Sequence, residues 1–453
     1  MRNLMPILFM ALAFGAITCK KQTDVGSNAE GLAAVDSTYI VFLKPTYLKP
    51  LVLEQTFYTE SFAKQAEMRK KLIEEVMTFC KDRNINGVDS SRIFVDVTVA
   101  FWTILTVEEA ASLRADSIHV QSVITDVKIE GKPIQQGKPI QQGKPIQQDE
   151  DTDRQDWGLV ELPPNTWTSC AVNKAGGVAS GGAALPRVIW IVDTGIAGAA
   201  PAITNPNLNV KKEWGWNFSV EPATRNAEDD NGHGTLVAGV AAAKTIVWKP
   251  GVNIHAGVSA GAWVVPIKVL DAEGDGYWRL VLKGINHIIG TGREGDVINL
   301  SFGDYGSNDC PGRVSGLEDV LTRAAARHFV VMAAGNDQGN AKRSAPGCMT
   351  GPDGGKLITV AAATCLNQCA SYSNYGGPVD YVAVGTDVFS TYLFDPETGN
   401  WTFGVASGTS LSAGIISGVI HAKGGLPNKR GKVRCRILHR EDAVRRPYDY
   451  GRR

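Results

Sequence analysis

Four short segments carry side chains suited to acyl transfer. Asp193-Thr194-Gly195 closes an apolar run, VIWIV (188–192), with a carboxylate and a glycine that lets the chain turn away. Asp230-Asn231-Gly232-His233-Gly234-Thr235 sets a histidine between glycines, ahead of a small-residue stretch. Ala333-Ala334-Gly335-Asn336 ends the run FVVMA (329–333) with a side-chain amide, and Ser407-Gly408-Thr409-Ser410 opens a second small-residue stretch with a hydroxyl. A serine hydroxyl attacks a carbonyl only when a base takes its proton, and histidine is the usual base. The base needs a carboxylate on its other nitrogen, here Asp193. The oxyanion that forms needs donors, which Asn336 and the unpaired N–H groups at a helix start could supply. Each piece alone is weak, because strand-ending Asp, capping Ser and turn Asn residues are commonly structural.

The value of the four depends on what positions them. VIWIV (188–192), WVVPIKV (263–269), VINL (297–300), FVVMA (329–333) and LITVAA (357–362) alternate with helix-like stretches. Runs apolar on both faces fit a parallel sheet sandwiched by helices, and such sheets carry their chemistry at the strands' carboxyl ends. An α/β domain is therefore expected, with all four segments at one edge. Before it, residues 39–130 read strand (39–43), helix, strand (93–105), helix (107–116), strand (118–129). Phe62, Met68, Leu72 and Val76 fall at helical spacing in the first helix. That is a small ferredoxin-like α/β plan, which by itself names no function.

The chain order Asp, His, Asn, Ser resembles the subtilisin-like serine proteases, the subtilase family. The likeness runs from about Trp157 to Ser417 and includes Gly257-Val258-Ser259, Asn299-Leu300-Ser301-Phe302-Gly303 and Ser371-Tyr372-Ser373-Asn374-Tyr375-Gly376. The resemblance implies a serine endopeptidase with Asp193, His233 and Ser410 as triad and Asn336 as oxyanion donor. It implies that Ser301, Phe302 and Gly303, with Ala333, Ala334 and Gly335, flank the main specificity pocket and pair with extended polypeptide substrates. It also implies that residues 37–130 are an inhibitory prosegment, the protein's own intramolecular partner, with self-cleavage between about Glu130 and Trp157. Catalysis then requires no cofactor, and structural calcium is an expectation by analogy, with Asp229 as an available carboxylate. Gly414 stands where the family usually has proline, Leu236 where a second histidine follows the first, and Asp304 where glycine is common. Asp304 lies near the expected pocket and could attract cationic side chains.

The rest of the chain sets the context. Residues 1–19 have a signal-peptide layout: Arg2, an apolar run from Leu4 to Ile17, then Cys19 before Lys20-Lys21. The run is too short to span a bilayer. Cys19 resembles a lipidated cysteine, which gives an exported protein, secreted or held on the cell envelope by lipid. Lys+Arg and Asp+Glu are both 46, so no basic field recommends a nucleic-acid partner. Export favours disulfides over metal among the other seven cysteines, and Cys365 and Cys369 are spaced to close a small loop. Residues 131–156 hold three Gly-Lys-Pro-Ile-Gln-Gln repeats and read as an exposed linker in which Pro and Gly oppose regular structure. The peptidase domain is expected over 157–421. Residues 422–453 form a basic tail of little apolar periodicity, which reads as disordered, as an anionic-surface contact or as a translation-frame artefact, an artefact or a truncated core being favoured. Two readings therefore compete with an active protease: an impaired homologue that binds surfaces, and a fragment without function. No His-Glu-x-x-His segment recommends a zinc peptidase.

Overall fold

A computed structural model describes residues 37–44, 62–95, 98–131, 135–136, 140–141, 158–162, 165–306, 309–310, 316–351, 355–434 and 447–452. The signal-like segment and Cys19 lie outside these residues. Asp36–Arg453 forms one compact unit.

Its centre is the expected sheet. In spatial order it runs Asn209–Val210, Trp263–Lys268, Ile189–Asp193, Val297–Leu300, Phe329–Ala333, Leu357–Ala363 and Tyr381–Val384, all parallel. Alternation of side chains along each strand divides the sheet into two apolar faces. Ile189, Ile191, Val331 and Val360 pack against the helices His233–Ala242 and Thr409–Lys423. Trp190, Val192, Leu300 and Met332 pack against Trp278–Thr291 and Leu317–Arg327. Full burial of each such side chain contributes about 1.5–3 kcal/mol relative to exposure.

The amino-terminal domain uses the same alternation on a smaller scale. Its antiparallel sheet has the order Ile93–Phe94, Ala100–Leu105, Ser37–Leu43, Val120–Thr125. The strand expected over 93–105 is thus two shorter ones. Tyr39, Val41 and Leu43 face the domain's own helices, Phe62–Asp82 and Val107–Ala115, where Leu72 and Val76 are buried. Thr106 and Glu109 close a capping box on the second helix. Ile40, Phe42, Phe94 and Ile124 point the other way and join the core under Trp278–Thr291 and Leu317–Arg327. The small sheet is therefore apolar on both sides, and the peptidase helices cover one of them.

Three expectations need correction. Cys365 does not pair with Cys369 but with Cys170, and Cys310 pairs with Cys348; Cys369 is disulfide-bonded too. A turn at Thr364–Asn367 sets Cys369 opposite Ala363 rather than opposite Cys365. The basic tail is not without structure: Asn428–Arg434 and Pro447–Arg452 form a hairpin whose second strand lies parallel to Tyr381–Val384 at the sheet edge. Edge strands tolerate Lys and Arg, so basic composition hid a strand. In the repeats, Gln135–Gln136 and Ile140–Gln141 pair antiparallel with Asn400–Ser407. Two residues free of Pro and Gly suffice for such short pairing, which a composition argument overlooks.

Candidate active site

Asp193 is the last residue of its strand and is fully buried. His233 opens its helix, also fully buried, and its Nδ1 lies 2.7 Å from Asp193 Oδ1. Two glycines make this possible for different reasons. Gly232 has φ +104°, a left-handed turn that other residues resist, and a Cβ there would strike the Tyr392 ring. A Cβ on Gly234 would meet the Gly195 carbonyl and crowd Asp193 Cβ at 3.2 Å, so glycine lets the helix sit on the strand end. The immediate task of both glycines is to bring histidine to carboxylate.

Asp229 holds this corner together. Its oxygens accept from Thr194 Oγ1, the amides of Asn231, Gly232 and Thr235, and Thr235 Oγ1. A carboxylate so occupied is a poor calcium ligand. Among the described residues no group of three or more His, Cys, Asp and Glu is placed to hold a metal. Burial pushes the His233 pKa down, but the charge and hydrogen bond of Asp193, aided by Asp229, outweigh it and hold it above the usual histidine value.

Ser410 is the second residue of the helix Thr409–Lys423 and nearly buried. Its Oγ donates to the Ser301 carbonyl at 2.9 Å, while Ser301 Oγ donates to the Ser410 carbonyl at 3.1 Å. His233 Nε2 is buried with no hydrogen-bond partner, so the serine–histidine bond is not formed in this arrangement. Asn336 is oriented by a residue that the sequence reading missed. Thr409 donates both its amide and its hydroxyl to Asn336 Oδ1, each at 2.9 Å. An amide N–H can bond only the oxygen of the side chain, so the Asn336 amide nitrogen is the atom turned away from Thr409, and among the described residues no partner is recorded for it.

Beside Ser410 lies a cavity of about 400 Å³ lined by Ser301, Phe302, Gly303, Ala333, Gly335 and Asn336, with Asp304 and Ser344 on its walls. Five of the six expected pocket residues are therefore there. Ala334 is instead buried in the core behind them.

The cleft is filled by the chain itself. Lys128–Glu130 pairs antiparallel with Asp275–Tyr277. Glu130 and Gly303 exchange two backbone hydrogen bonds of 3.0 Å, and the Gly131 amide donates to the Gly274 carbonyl. Gly131 lies so close to the histidine that a Cβ there would be 3.7 Å from His233 Nδ1. The single strand expected over 118–129 is two, Val120–Thr125 and Lys128–Glu130, and nothing in the local pattern gave the partner of the second, which lies far along the chain.

A buried Asp–His pair, a helix-start serine and an oriented asparagine amide at one sheet edge have the layout of a serine peptidase. The Subtilase family profile matches residues 187–423. Thermitase from Thermoactinomyces vulgaris is 31% identical over 256 residues, covering 56% of this chain and 81% of thermitase. Subtilisin-like protease 5 from Arthroderma gypseum is 32% identical over 267 residues, covering 57% of this chain and 58% of that protein. Against that relative and others, the chain spans little more than half of their length. The crystal structure of a cold adapted subtilisin-like serine proteinase has a TM-score of 0.41 and 23% identity, covering 54% of this chain and 77% of that one. The chain belongs to the subtilase family of serine endopeptidases. Among the described residues no helix is long and apolar enough to cross a membrane.

Proposed function

We propose that this protein hydrolyses peptide bonds through Asp193, His233 and Ser410, and that it is made as a precursor held inactive by residues 37–130. The observation that carries the reading is the buried 2.7 Å contact of His233 Nδ1 with Asp193, beside a helix-start serine and an oriented asparagine amide. Ser410 Oγ bonds to the substrate carbonyl carbon as His233 Nε2 takes its proton. Asn336 Nδ2 and the Ser410 N–H hold the oxyanion; in this family, loss of one such donor lowers the rate by about 10²–10³. The C–N bond then breaks, His233 returns the proton to the leaving nitrogen, and water releases the acyl group by the same steps reversed. Asp193 stays ionised, fixes the ring and offsets its positive charge.

The strand Lys128–Glu130 supports the inhibitory role of the small domain, because it lies where an extended substrate would pair with Gly303. Self-cleavage would fall between Glu130 and Trp157. The segments flanking 132–134, Gly131 on one side and Gln135 paired with Ser407 on the other, favour the first repeat. Export, with lipid on Cys19, completes the reading.

Labelling with a fluorophosphonate probe tests site and processing together. A labelled band shortened by the loss of the prosegment, absent from Ser410→Ala, is the expected result. A soluble, folded protein that takes no label would overturn the catalytic reading.

A further inference from the structure

We propose that Asp229 is a positioning residue of the catalytic unit, tying the end of the Asp193 strand to the start of the His233 helix and steadying the imidazolium that forms during acyl transfer. This role rests on the catalytic reading above and adds to it a residue outside the lining of the cavity beside Ser410.

The tie runs through two threonine hydroxyls. Thr194 follows Asp193, and its amide donates at 2.7 Å to Asp193 Oδ1, the oxygen that also faces His233. Its hydroxyl accepts from the amide of Gly234, the residue after His233, at 2.9 Å and donates to Asp229 Oδ1 at 2.8 Å. Thr235 bridges the same gap from the helix side. Its hydroxyl accepts from the Ala197 amide, beyond the strand, at 2.9 Å and donates to Asp229 Oδ2 at 2.5 Å. A hydroxyl has one proton to give. Because each gives it to Asp229, each turns a lone pair toward a backbone N–H of the other element, which sets strand end and helix start in one register. Asp193, Thr194, Asp229, His233 and Thr235 are all buried, so a bond lost here is not replaced by one to water.

The residue type follows from the donors. Oδ1 also accepts from the amides of Asn231 and Gly232, and Oδ2 from the amide of Thr235. Asparagine has one acceptor oxygen, so whichever way it turned, its NH2 would face a backbone N–H. A carboxylate accepts at both ends.

Its charge has a second consequence. His233 becomes an imidazolium as the tetrahedral intermediate forms, and opposite charges attract strongly where water is excluded. Against the desolvation that burial imposes, Asp193 supplies most of that attraction and Asp229 adds to it. The other polar and charged groups at this corner point elsewhere. Lys268 Nζ donates to the Thr194 carbonyl and to Asp230 Oδ1, Glu228 accepts from the amides of Gly198 and Ala200, and the Tyr392 hydroxyl donates to the Asn231 carbonyl. The helix Thr409–Lys423 carries no charged side chain before His421. In the strand across the cleft, Lys128 pairs with Asp275 and Glu130 is exposed.

The test compares the processed enzyme, made from the full-length chain, as wild type, Asp229→Asn, Thr194→Val and Thr194→Ser on one peptide nitroanilide across a range of pH. Asp229→Asn should lower kcat about tenfold with KM nearly unchanged, and the rising limb of kcat/KM should move about half a pH unit toward acid, because one anion near the imidazolium is gone. Thr194→Val keeps that anion and loses the tie. Its kcat should fall by about as much with the limb in place, and Thr194→Ser, which keeps the hydroxyl, should recover most of the loss. A residue that only stabilised the fold would change the amount of active enzyme and leave kcat per site and the limb alone. Asp229→Asn with the wild-type limb, or Thr194→Val with the wild-type kcat, would overturn the proposal. Should Asp229→Asn fail to fold, the two Thr194 variants still decide the tie. Fluorophosphonate labelling of Ser410 counts active sites and separates the two failures: labelled wild type with unaffected variants sinks only this inference, and folded wild type that takes no label sinks the catalytic reading with it.

Discussion

Two buried carboxylates, each with a basic partner, sit in different parts of this molecule. Asp193 faces His233 at the edge of the central sheet. Asp126 of the amino-terminal domain is fully buried against Arg279 of the peptidase domain, accepting from the Arg279 amide at 3.0 Å and from its guanidinium. The surroundings are alike, but the partners differ in one property. An imidazole gives up and regains a proton near neutral pH, whereas a guanidinium does not. The first pair can take part in a reaction; the second can only be made or broken whole, which would suit a contact between two domains that part on the processing proposed above. Burial, which raises the Asp126 pKa despite Arg279, makes the intact contact specific without making it strong.

Breaking the first pair should have the largest effect. Asp193→Asn keeps the shape but favours the wrong tautomer of His233, and kcat should fall by about 10⁴ with the circular dichroism spectrum retained. Breaking the second should spare the chemistry of the mature enzyme. Arg279→Ala removes the guanidinium and leaves the Asp126 charge buried with only the backbone amide of residue 279, a loss of about 3 kcal/mol. The added amino-terminal domain should then inhibit the mature variant about 100-fold less tightly, as read from its inhibition constant.

The titrating partner predicts a smaller effect. Because His233 must be neutral to accept a proton and its pKa is held above the usual histidine value, activity should still be rising with pH where an ordinary histidine is already neutral. Below that limb kcat/KM should fall about tenfold per unit of pH. A plateau reached at or below the ordinary histidine range would contradict the coupling to Asp193. Smallest of all, Arg279→Lys keeps the charge but not the fork, and inhibition should weaken only a few-fold, measured by the same titration.

The same contrast marks what the sequence could disclose. Asp193, His233, Asn336 and Ser410 were legible because each ends a strand or opens a helix, so local pattern placed them at one edge. The parallel strands were legible because burial on both faces demands unbroken apolar runs. Thr409 as the anchor of Asn336 was not, since a threonine at a helix start reads as an ordinary cap. Nor was the meeting of Lys128–Glu130 with Asp275–Tyr277, or of Cys170 with Cys365, because both depend on how distant segments pack. The tail hairpin was hidden for a third reason: Asn428–Arg434 carries Val433 as its one large apolar residue, and an edge strand needs no more.

The small domain's sheet would have further meaning if the chain were cut as proposed. Ile40, Phe42, Phe94 and Ile124 lie under the helices Trp278–Thr291 and Leu317–Arg327, and on departure they would meet water. A released domain with one bare apolar face is a poor independent protein. On the proposed reading it would gain by rebinding a mature enzyme, its own or a neighbour's, or else open and be degraded. Cleavage of one bond would then start a clock, and the time it measures would be the lifetime of that exposed face.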